Sequence, residues 1–128
     1  MTPTEPSVSV VIPCYNEEGS LRELHARLTA VLRERNAAYE VLYIDDGSTD
    51  GSRELLRELA AADPACRVLF FRRNCGKSAA LDAGFRAARG GRILMLDADL
   101  QDDPQEIPRF LEALERAGEP DLPPGAAR

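Results

Sequence analysis

Four short runs of apolar residues recur along the chain, and the segments between them carry apolar residues at helical spacing. The runs cover residues 8–12, 41–44, 68–71 and 93–96. A continuous apolar run of this length is typical of a strand buried on both faces, as in a parallel sheet. The helical patterns are formed by Leu21, Leu24, Leu28, Val31 and Leu32, and then by Leu55, Leu56 and Leu59. This alternation predicts an α/β fold with three α/β/α layers and a mainly parallel sheet of about four strands.

Two further helices are predicted on either side of the fourth run. Residues 78–89 are rich in alanine and include Gly84, so this helix is expected to lie close to the sheet. A last helix is expected to begin near Asp103, which can serve as its N-cap. Prolines crowd the end of the sequence, and we therefore predict one domain over residues 1–117 and a proline-rich tail over residues 118–128.

Length and charge narrow the class of protein. The 128 residues are enough for a single hydrophobic core and too few for two. Lys and Arg total 16 against 22 Asp and Glu, and the resulting net charge of -6 disfavours nucleic acid as a partner. A phosphate-bearing ligand would therefore have to be held by a local cation, a helix N-terminus or one placed lysine.

The cysteines and the start of the sequence indicate the compartment. Cys14, Cys66 and Cys75 have neither metal-ligand nor CxxC spacing, which fits a reducing compartment rather than a disulfide framework. The first residues carry no secretory signal, and no apolar run approaches the roughly 20 residues needed to cross a bilayer. We therefore expect a cytoplasmic protein with no transmembrane segment in this chain.

Polar residues follow each of the four predicted strands directly. These clusters are residues 13–18, 45–50, 72–77 and 97–102. In an open parallel sheet the carboxyl ends of the strands lie at one edge, where ligands bind. The four clusters therefore predict one site.

The last cluster indicates a metal. Asp97 and Asp99 lie two residues apart after the fourth run, with Gln101 close behind. Carboxylate and amide oxygens are the ligands that a hard divalent cation takes, and such an ion neutralises charge on a leaving diphosphate. An Asp-x-Asp triplet alone is weak, because about one is expected by chance among ten aspartates. The alternative is an acidic loop that caps the next helix.

The other clusters contain candidate nucleotide contacts, each with a structural alternative. Adjacent Asp45 and Asp46 repel each other unless bonds offset the charge, so at least one is expected to bind a base or ribose. Asp46 can instead fix its own turn, and Asp50 is expected to cap the second helix. Tyr15 either stacks on a nucleobase or covers the sheet edge. Lys77 either meets a phosphate or ribose or is solvated.

Four stretches taken together resemble the family 2 glycosyltransferases with the GT-A fold. The resemblance is closest to the polyprenyl-phosphate glycosyltransferases, such as dolichyl-phosphate mannose synthase. The stretches are VSVVIPCYNEEGSL, YEVLYIDDGSTDGS, FFRRNCGKSAALDAGF and ILMLDADLQDDPQEIP. They cover residues 7–114, and four motifs in this order are far more specific than any one of them. The resemblance implies that the chain is the Rossmann-like, nucleotide-binding half of a GT-A domain.

The resemblance also implies an activity and a set of residues. The activity is inverting transfer of a sugar from a UDP- or GDP-linked donor to a lipid phosphate, assisted by Mg²⁺ or Mn²⁺. The implied nucleotide-sugar contacts are Pro13, Tyr15, Asn16, Glu17, Asp45, Asp46, Lys77 and Asp97. The implied metal ligands are Asp97, Asp99 and Gln101, of which Asp97 and Asp99 form the catalytic pair. A phosphate acceptor is already anionic, so it needs little help from a general base.

Other functions stay open at this point. Family members continue beyond the end of this sequence with strands that form the acceptor site, so the alternative is a truncated, non-catalytic nucleotide-sugar-binding module. A dinucleotide-binding Rossmann domain is disfavoured, because no GxGxxG follows the first run. An aspartate-based receiver domain would need a lysine after a later strand. A homo-oligomer and peripheral attachment at the cytosolic face of a membrane are both open.

Overall fold

The structure is a computed structural model that describes residues 6–34 and 38–98, together with residues 109 and 112. Its elements, in chain order, are β1 (Val8–Cys14), α1 (Leu21–Glu34), β2 (Tyr39–Asp45), α2 (Ser52–Ala62), β3 (Cys66–Phe70), α3 (Lys77–Ala87) and β4 (Arg92–Met95). The strands form one sheet in the order β3-β2-β1-β4, and every neighbouring pair is parallel. The predicted α/β fold with a mainly parallel sheet is therefore confirmed.

The order of the strands explains which face each helix covers. Parallel strands joined by a helix form right-handed crossovers, so steps in one direction place successive helices on one face. The strands β1, β2 and β3 step in one direction, and α1 and α2 pack on the same face of the sheet. The chain then returns across the sheet to pair β4 with β1, and α3 covers the opposite face. The direction reverses at the boundary between β1 and β4.

The two central strands form the core. Every residue of β1 is buried, as are all residues of β2 except the first. Val10 and Val41 belong to the cluster under α1 and α2, whereas Val11 and Leu42 belong to the cluster under α3. The strands β3 and β4 are mostly half-buried. The prediction of strands buried on both faces is therefore correct for β1 and β2 but wrong for β3 and β4, because these lie at the edges of the described sheet.

Small residues and short polar contacts position the helices. The helix α3 lies so close to the sheet that a Cβ added to Gly84 would come within 2.5 Å of Cγ1 of Val11, which confirms the predicted close packing. At the start of α2, Asp50 accepts a hydrogen bond from the N–H of Ser52 at 2.9 Å, but Gly51 occupies the N-cap position. Asp50 therefore supports the first turn of α2 from the position before the N-cap, and not from the N-cap position itself as predicted.

Parts of the predicted organisation lie outside the described residues. These are the start of the last helix at Asp103, the domain boundary after residue 117 and the tail over residues 118–128. Arg109 and Glu112 from the predicted last helix are helical and exposed. Among the helices that the structure describes, none is long and apolar enough to cross a membrane.

Candidate functional site

A cavity of about 250 Å³ opens at the carboxyl ends of β1, β2 and β4, beside the start of α3. This is the edge where the chain reverses direction between β1 and β4, and open α/β sheets bind their ligands at such a point. Six residues selected from the sequence line it, together with two that were not: Pro13, Tyr15, Glu17, Asp46, Lys77 and Asp97, with Cys14 and Ala98. The predicted convergence of the strand-end clusters is therefore found in the structure.

The first loop, residues 15–20 (loop 1), brings Tyr15 to the cavity but not Asn16. Tyr15 is 43% exposed and lines the cavity. Asn16 has a left-handed backbone with φ 55°, and its Oδ1 accepts hydrogen bonds from the N–H groups of Thr49 and Asp50 at 2.8 and 3.2 Å. Asn16 thus lies outside the cavity lining, and its contact with a nucleotide stays a prediction.

The two adjacent carboxylates at the end of β2 have different surroundings. Asp45 is fully buried and does not line the cavity. Its Oδ2 accepts hydrogen bonds from the Ser48 N–H at 3.3 Å and the Arg53 guanidinium at 3.5 Å. Its Oδ1 has no hydrogen-bond partner among the described residues. The structure thus brings Asp46, and not Asp45, to the cavity.

Asp46 holds the third loop, residues 71–76 (loop 3), rather than its own turn. Its Oδ1 accepts a hydrogen bond from the N–H of Cys75 at 2.7 Å, and its Oδ2 accepts one from the N–H of Gly76 at 3.0 Å. Because Gly76 directly precedes α3, the carboxylate fixes the place where this helix begins. The Asp46 side chain therefore positions Lys77, the first residue of α3, beside the cavity.

Lys77 and Asp97 form an ion pair across the cavity lining. The Lys77 Nζ lies 2.8 Å from Oδ1 of Asp97, and the two side chains are 58% and 52% exposed. A pair this exposed contributes at most about 1 kcal/mol, because water and salt screen it. The ion pair between Lys77 and Asp97 therefore costs little to break.

A serine joins loop 1 to the end of β4. The Ser20 hydroxyl lies 3.2 Å from the Ala98 carbonyl and 3.2 Å from the Glu17 carboxylate. Ser20 itself is buried. The contact keeps the side of the cavity that carries Glu17 next to the strand end that carries Asp97.

Cys14 and Ala98 line the cavity although the sequence did not single them out. Burial, followed by the charge of nearby carboxylates such as Asp45, raises the pKa of the Cys14 thiol. The thiol is therefore uncharged at physiological pH and forms a neutral wall. Its position between two selected residues, Pro13 and Tyr15, was the signal that could have identified it.

A buried network behind loop 1 was also missed. The Nδ1 of His25 lies 2.8 Å from the Tyr43 hydroxyl, and its Nε2 lies 2.9 Å from Oδ2 of Asp63. Since a carboxylate only accepts, the bonds are satisfied when Nε2 carries a proton and Tyr43 donates to Nδ1. The network ties α1 to β2 and to the end of α2. Its signal was the place of His25 on the apolar side of α1, between Leu24 and Leu28.

The cavity offers the oxygen donors that Mg²⁺ or Mn²⁺ prefers. Glu17, Asp46 and Asp97 contribute carboxylates to its lining. Across residues 6–34 and 38–98, however, no three His, Cys, Asp or Glu side chains converge closely enough to hold a metal. The predicted ligands Asp99 and Gln101 lie outside the described residues. The donor chemistry fits a hard cation, and Asp97 is the described candidate ligand.

Several known proteins of similar sequence are transferases. The chain is 52% identical over 107 residues to the undecaprenyl-phosphate 4-deoxy-4-formamido-L-arabinose transferase of Aeromonas hydrophila, covering 83% of this chain and 33% of that protein. The transferase of the same name from Pseudomonas paraeruginosa is 50% identical over 107 residues, which cover 82% of this chain and 31% of that protein. The chain thus spans about a third of the length of these relatives.

A solved structure supports the fold. The mannosyltransferase PcManGT from Pyrobaculum calidifontis, in complex with GDP-Man and Mn²⁺, matches with a TM-score of 0.66 at 31% identity. The match covers 75% of this chain and 28% of that chain. The sequence profile named Glycosyl transferase family 2 matches residues 9–120, which is most of the chain. The chain therefore belongs to glycosyl transferase family 2, and its sheet has the GT-A fold.

Proposed function

We propose that the cavity binds a UDP- or GDP-linked sugar and that the protein transfers this sugar, with inversion, to a polyprenyl phosphate. The observation that carries the proposal is the convergence of an aromatic ring, carboxylates and a lysine in one cavity, at the edge where such sheets bind ligands. Family membership and the names of the similar transferases support the same chemistry.

The nucleotide would extend from the loop 1 side of the cavity to the start of α3. The exposed ring of Tyr15 offers an apolar face on which a nucleobase can stack. At the other side, Lys77 supplies a cation beside a helix start, which suits the diphosphate. The net charge of -6 repels an anionic ligand, and the positive charge of Lys77 provides a local attraction that opposes this repulsion.

We also propose that Asp97, with Asp99 and Gln101, holds Mg²⁺ or Mn²⁺. When bound, such an ion would neutralise the negative charge that develops on the departing diphosphate. Asp97 lines the cavity, and its Oδ1 accepts a hydrogen bond from Lys77 Nζ at 2.8 Å. The similar mannosyltransferase was solved with Mn²⁺, which supports a divalent cation for this chain as well.

The proposed transfer is a single displacement. An oxygen of the acceptor phosphate attacks the anomeric carbon on the face opposite the diphosphate and forms the new C–O bond. The bond from that carbon to the diphosphate oxygen breaks, and its electron pair leaves with the nucleoside diphosphate. The acceptor oxygen is already deprotonated, so none of the described residues has to act as a general base. Because a polyprenyl phosphate is a membrane lipid, the proposed reaction would take place at a membrane surface, on the cytosolic face.

The proposal can be tested with the full 128-residue chain. We expect calorimetric titration with UDP- and GDP-sugars to show binding that requires Mn²⁺ and disappears with a chelator. Asp97→Asn and Asp99→Ala should each weaken the metal-dependent binding by more than about tenfold, since a charged contact is lost. Circular dichroism should stay that of the wild type.

A matched control is Asp82→Asn. Asp82 is an exposed carboxylate on α3 that pairs with Arg86 and does not line the cavity, so its loss should leave binding unchanged. Binding that ignores the chelator, or survives both Asp97→Asn and Asp99→Ala, would refute the metal site. Adding undecaprenyl phosphate and labelled donor then tests transfer; binding without any labelled lipid would favour the nucleotide-sugar-binding module instead.

A further inference from the structure

We infer that Asn16 is a positioning residue, which sets the direction in which loop 1 leaves β1 and so holds the Tyr15 ring at the mouth of the cavity. The inference deepens the proposed function and rests on it, because the ring matters only if a nucleobase packs there. It also gives Asn16 a role other than the nucleotide contact that the family resemblance implies.

The backbone of Asn16 reverses the chain. Its φ of 55° lies in the left-handed region, which Asn adopts more readily than other residues with a side chain. Tyr15 directly precedes this turn and Glu17 directly follows it, and both line the cavity. The left-handed residue between them therefore allows the residues on both of its sides to line the cavity while Asn16 itself lies outside the lining.

Hydrogen bonds to residues 46–51 (loop 2) hold that turn in place. The Asn16 N–H donates to the Ser48 hydroxyl at 2.9 Å. The Asn16 Oδ1 accepts from the N–H groups of Thr49 and Asp50 at 2.8 and 3.2 Å. One side chain thus satisfies two backbone groups of the neighbouring loop, and both backbone and side chain of Asn16 are anchored.

The bonding between the two loops runs in both directions. Beside the Asn16 contacts, the Glu17 N–H donates at 2.9 Å to the hydroxyl of Ser52, the first residue of α2, and the Gly51 N–H donates to Oε1 of Glu18 at 3.2 Å. These backbone N–H groups are consumed by protein acceptors, so they are not available to a phosphate. The loop 1 and loop 2 contacts therefore form a support for the cavity wall.

Tyr15 depends on this support. Its side chain makes no hydrogen bond to any described residue, and it is 43% exposed. Its location is thus set by the backbone on either side, namely the end of β1 at Cys14 and the turn at Asn16. A substitution at Asn16 should therefore alter the position of the Tyr15 ring more than it alters the packing of the core.

A double-mutant cycle separates positioning from direct contact. Dissociation constants for UDP and for GDP, each with Mn²⁺, are measured for the wild type, Asn16→Ala, Tyr15→Ala and the double variant. We expect Asn16→Ala to weaken binding by about tenfold relative to the wild type when Tyr15 is present. A loss of this size lies in the upper range for lost hydrogen bonds. In the Tyr15→Ala background the effect of Asn16→Ala should fall below about twofold. An equal loss in both backgrounds would mean direct contact and overturn the inference.

A second readout needs no ligand and therefore separates the inference from the proposed function. The chain has three tyrosines, so 3-fluorotyrosine labelling should give three ¹⁹F resonances, with that of Tyr15 identified by Tyr15→Phe. Asn16→Ala should shift or broaden the Tyr15 resonance and leave those of Tyr39 and Tyr43 unchanged. Asn16→Gly tolerates the left-handed turn but lacks Oδ1, so it keeps the fold and should show a smaller change of the same kind. An unaltered Tyr15 resonance in both variants would overturn the inference, even if neither nucleotide binds the wild type.

Discussion

At the scale of single residues, the site depends on places where two loops approach too closely for a side chain. Gly47 is the clearest case. Its φ is 74°, and an added Cβ would lie 2.3 Å from the backbone C of Arg73 and 2.4 Å from the N of Asn74. Backbone atoms cannot move aside as a side chain can. Gly47 is therefore required both for its conformation and for the contact of loop 2 with loop 3.

We predict that Gly47→Ala lowers the free energy of unfolding by about 2–4 kcal/mol, from left-handed strain plus overpacking. Urea denaturation followed by circular dichroism measures this. Gly19→Ala is the matched control, because a Cβ there meets no atom within 4 Å, and it should change stability by less than about 0.5 kcal/mol. Equal stability of the two variants would contradict the prediction.

Single-residue chemistry was only partly predictable. The sequence selected Asp45 and Asp46 together, and nothing local distinguishes them. Consecutive residues of an extended backbone point to opposite sides, so Asp45 at the end of β2 is buried beside Arg53, whereas Asp46, directly after the strand, lines the cavity. Which of the two carboxylates is buried and which lines the cavity depends on the register of the sheet. The local spacing of residues does not determine that register.

At the scale of elements, the packing of α3 on the sheet has little tolerance. A Cβ on Gly84 would lie 2.5 Å from Cγ1 of Val11 and 2.7 Å from Cδ1 of Ile44, and both partners are fully buried. In an exposed helix, alanine is better than glycine by about 1 kcal/mol. At Gly84 the steric contact of an added Cβ opposes this gain in helix propensity. The stability of an alanine variant therefore shows which of the two effects is larger.

We predict that Gly84→Ala is destabilising by about 1–2 kcal/mol, because overpacking a close-packed core outweighs helix propensity. Gly84→Val should be worse, since it adds volume and a β-branch. Both are measured by urea denaturation against the wild type. An alanine variant more stable than the wild type would show that the helix moves away from the sheet easily.

The elements themselves were the most predictable level. All four strands and three helices that the structure describes follow from the apolar pattern, with boundaries that differ by a few residues. β1 runs two residues further than predicted, through Pro13 and Cys14, because pairing with β2 continues as far as Cys14 and Asp45. Partner strands decide where a strand ends, and the apolar run alone does not.

At the scale of the whole molecule, the two ends of the sheet differ in how their buried carboxylates are hydrogen-bonded. The carboxylate at the amino end is Glu40, and the one at the cavity end is Asp45. The buried carboxylate of Glu40 accepts hydrogen bonds from the Ser9 hydroxyl at 2.6 Å, the Arg67 guanidinium at 2.6 Å and the Arg89 N–H at 2.7 Å. These partners come from β1, β3 and the segment before β4. One carboxylate of β2 therefore joins β1, β3 and the segment that leads into β4, and it is fully bonded, unlike Asp45 at the opposite end.

The Glu40 cluster should make stability depend on pH. Burial alone would raise the pKa of Glu40, but hydrogen bonds from Ser9, Arg89 and Arg67 outweigh it and lower the pKa below its ordinary value. With a lowered folded pKa, the stabilisation is complete above the unfolded Glu pKa of about 4.3 and is lost as the pH falls through the folded pKa. Stability should therefore decline on the acid side.

We predict that Glu40→Gln costs about 2–3 kcal/mol at pH 7, since it leaves Arg67 without its charged partner. It should also flatten the decline in unfolding free energy between neutral and acid pH. Urea denaturation at several pH values measures both. Glu58→Gln, in an exposed pair with Arg22, should change stability by less than about 0.5 kcal/mol. An acid decline as steep as that of the wild type would exclude Glu40 as its source.

The sequence by itself determined the alternation of strands and helices, the parallel sheet and the edge at which polar clusters meet. These follow from periodicity and from the rule that parallel strands end on the same side. Only the tertiary structure decided that Asn16 and Asp45 lie outside the cavity lining, that Lys77 pairs with Asp97 and that Glu40 joins the strands. The reason is that each of these outcomes depends on partners distant in the sequence, whose direction is set by strand register and loop conformation.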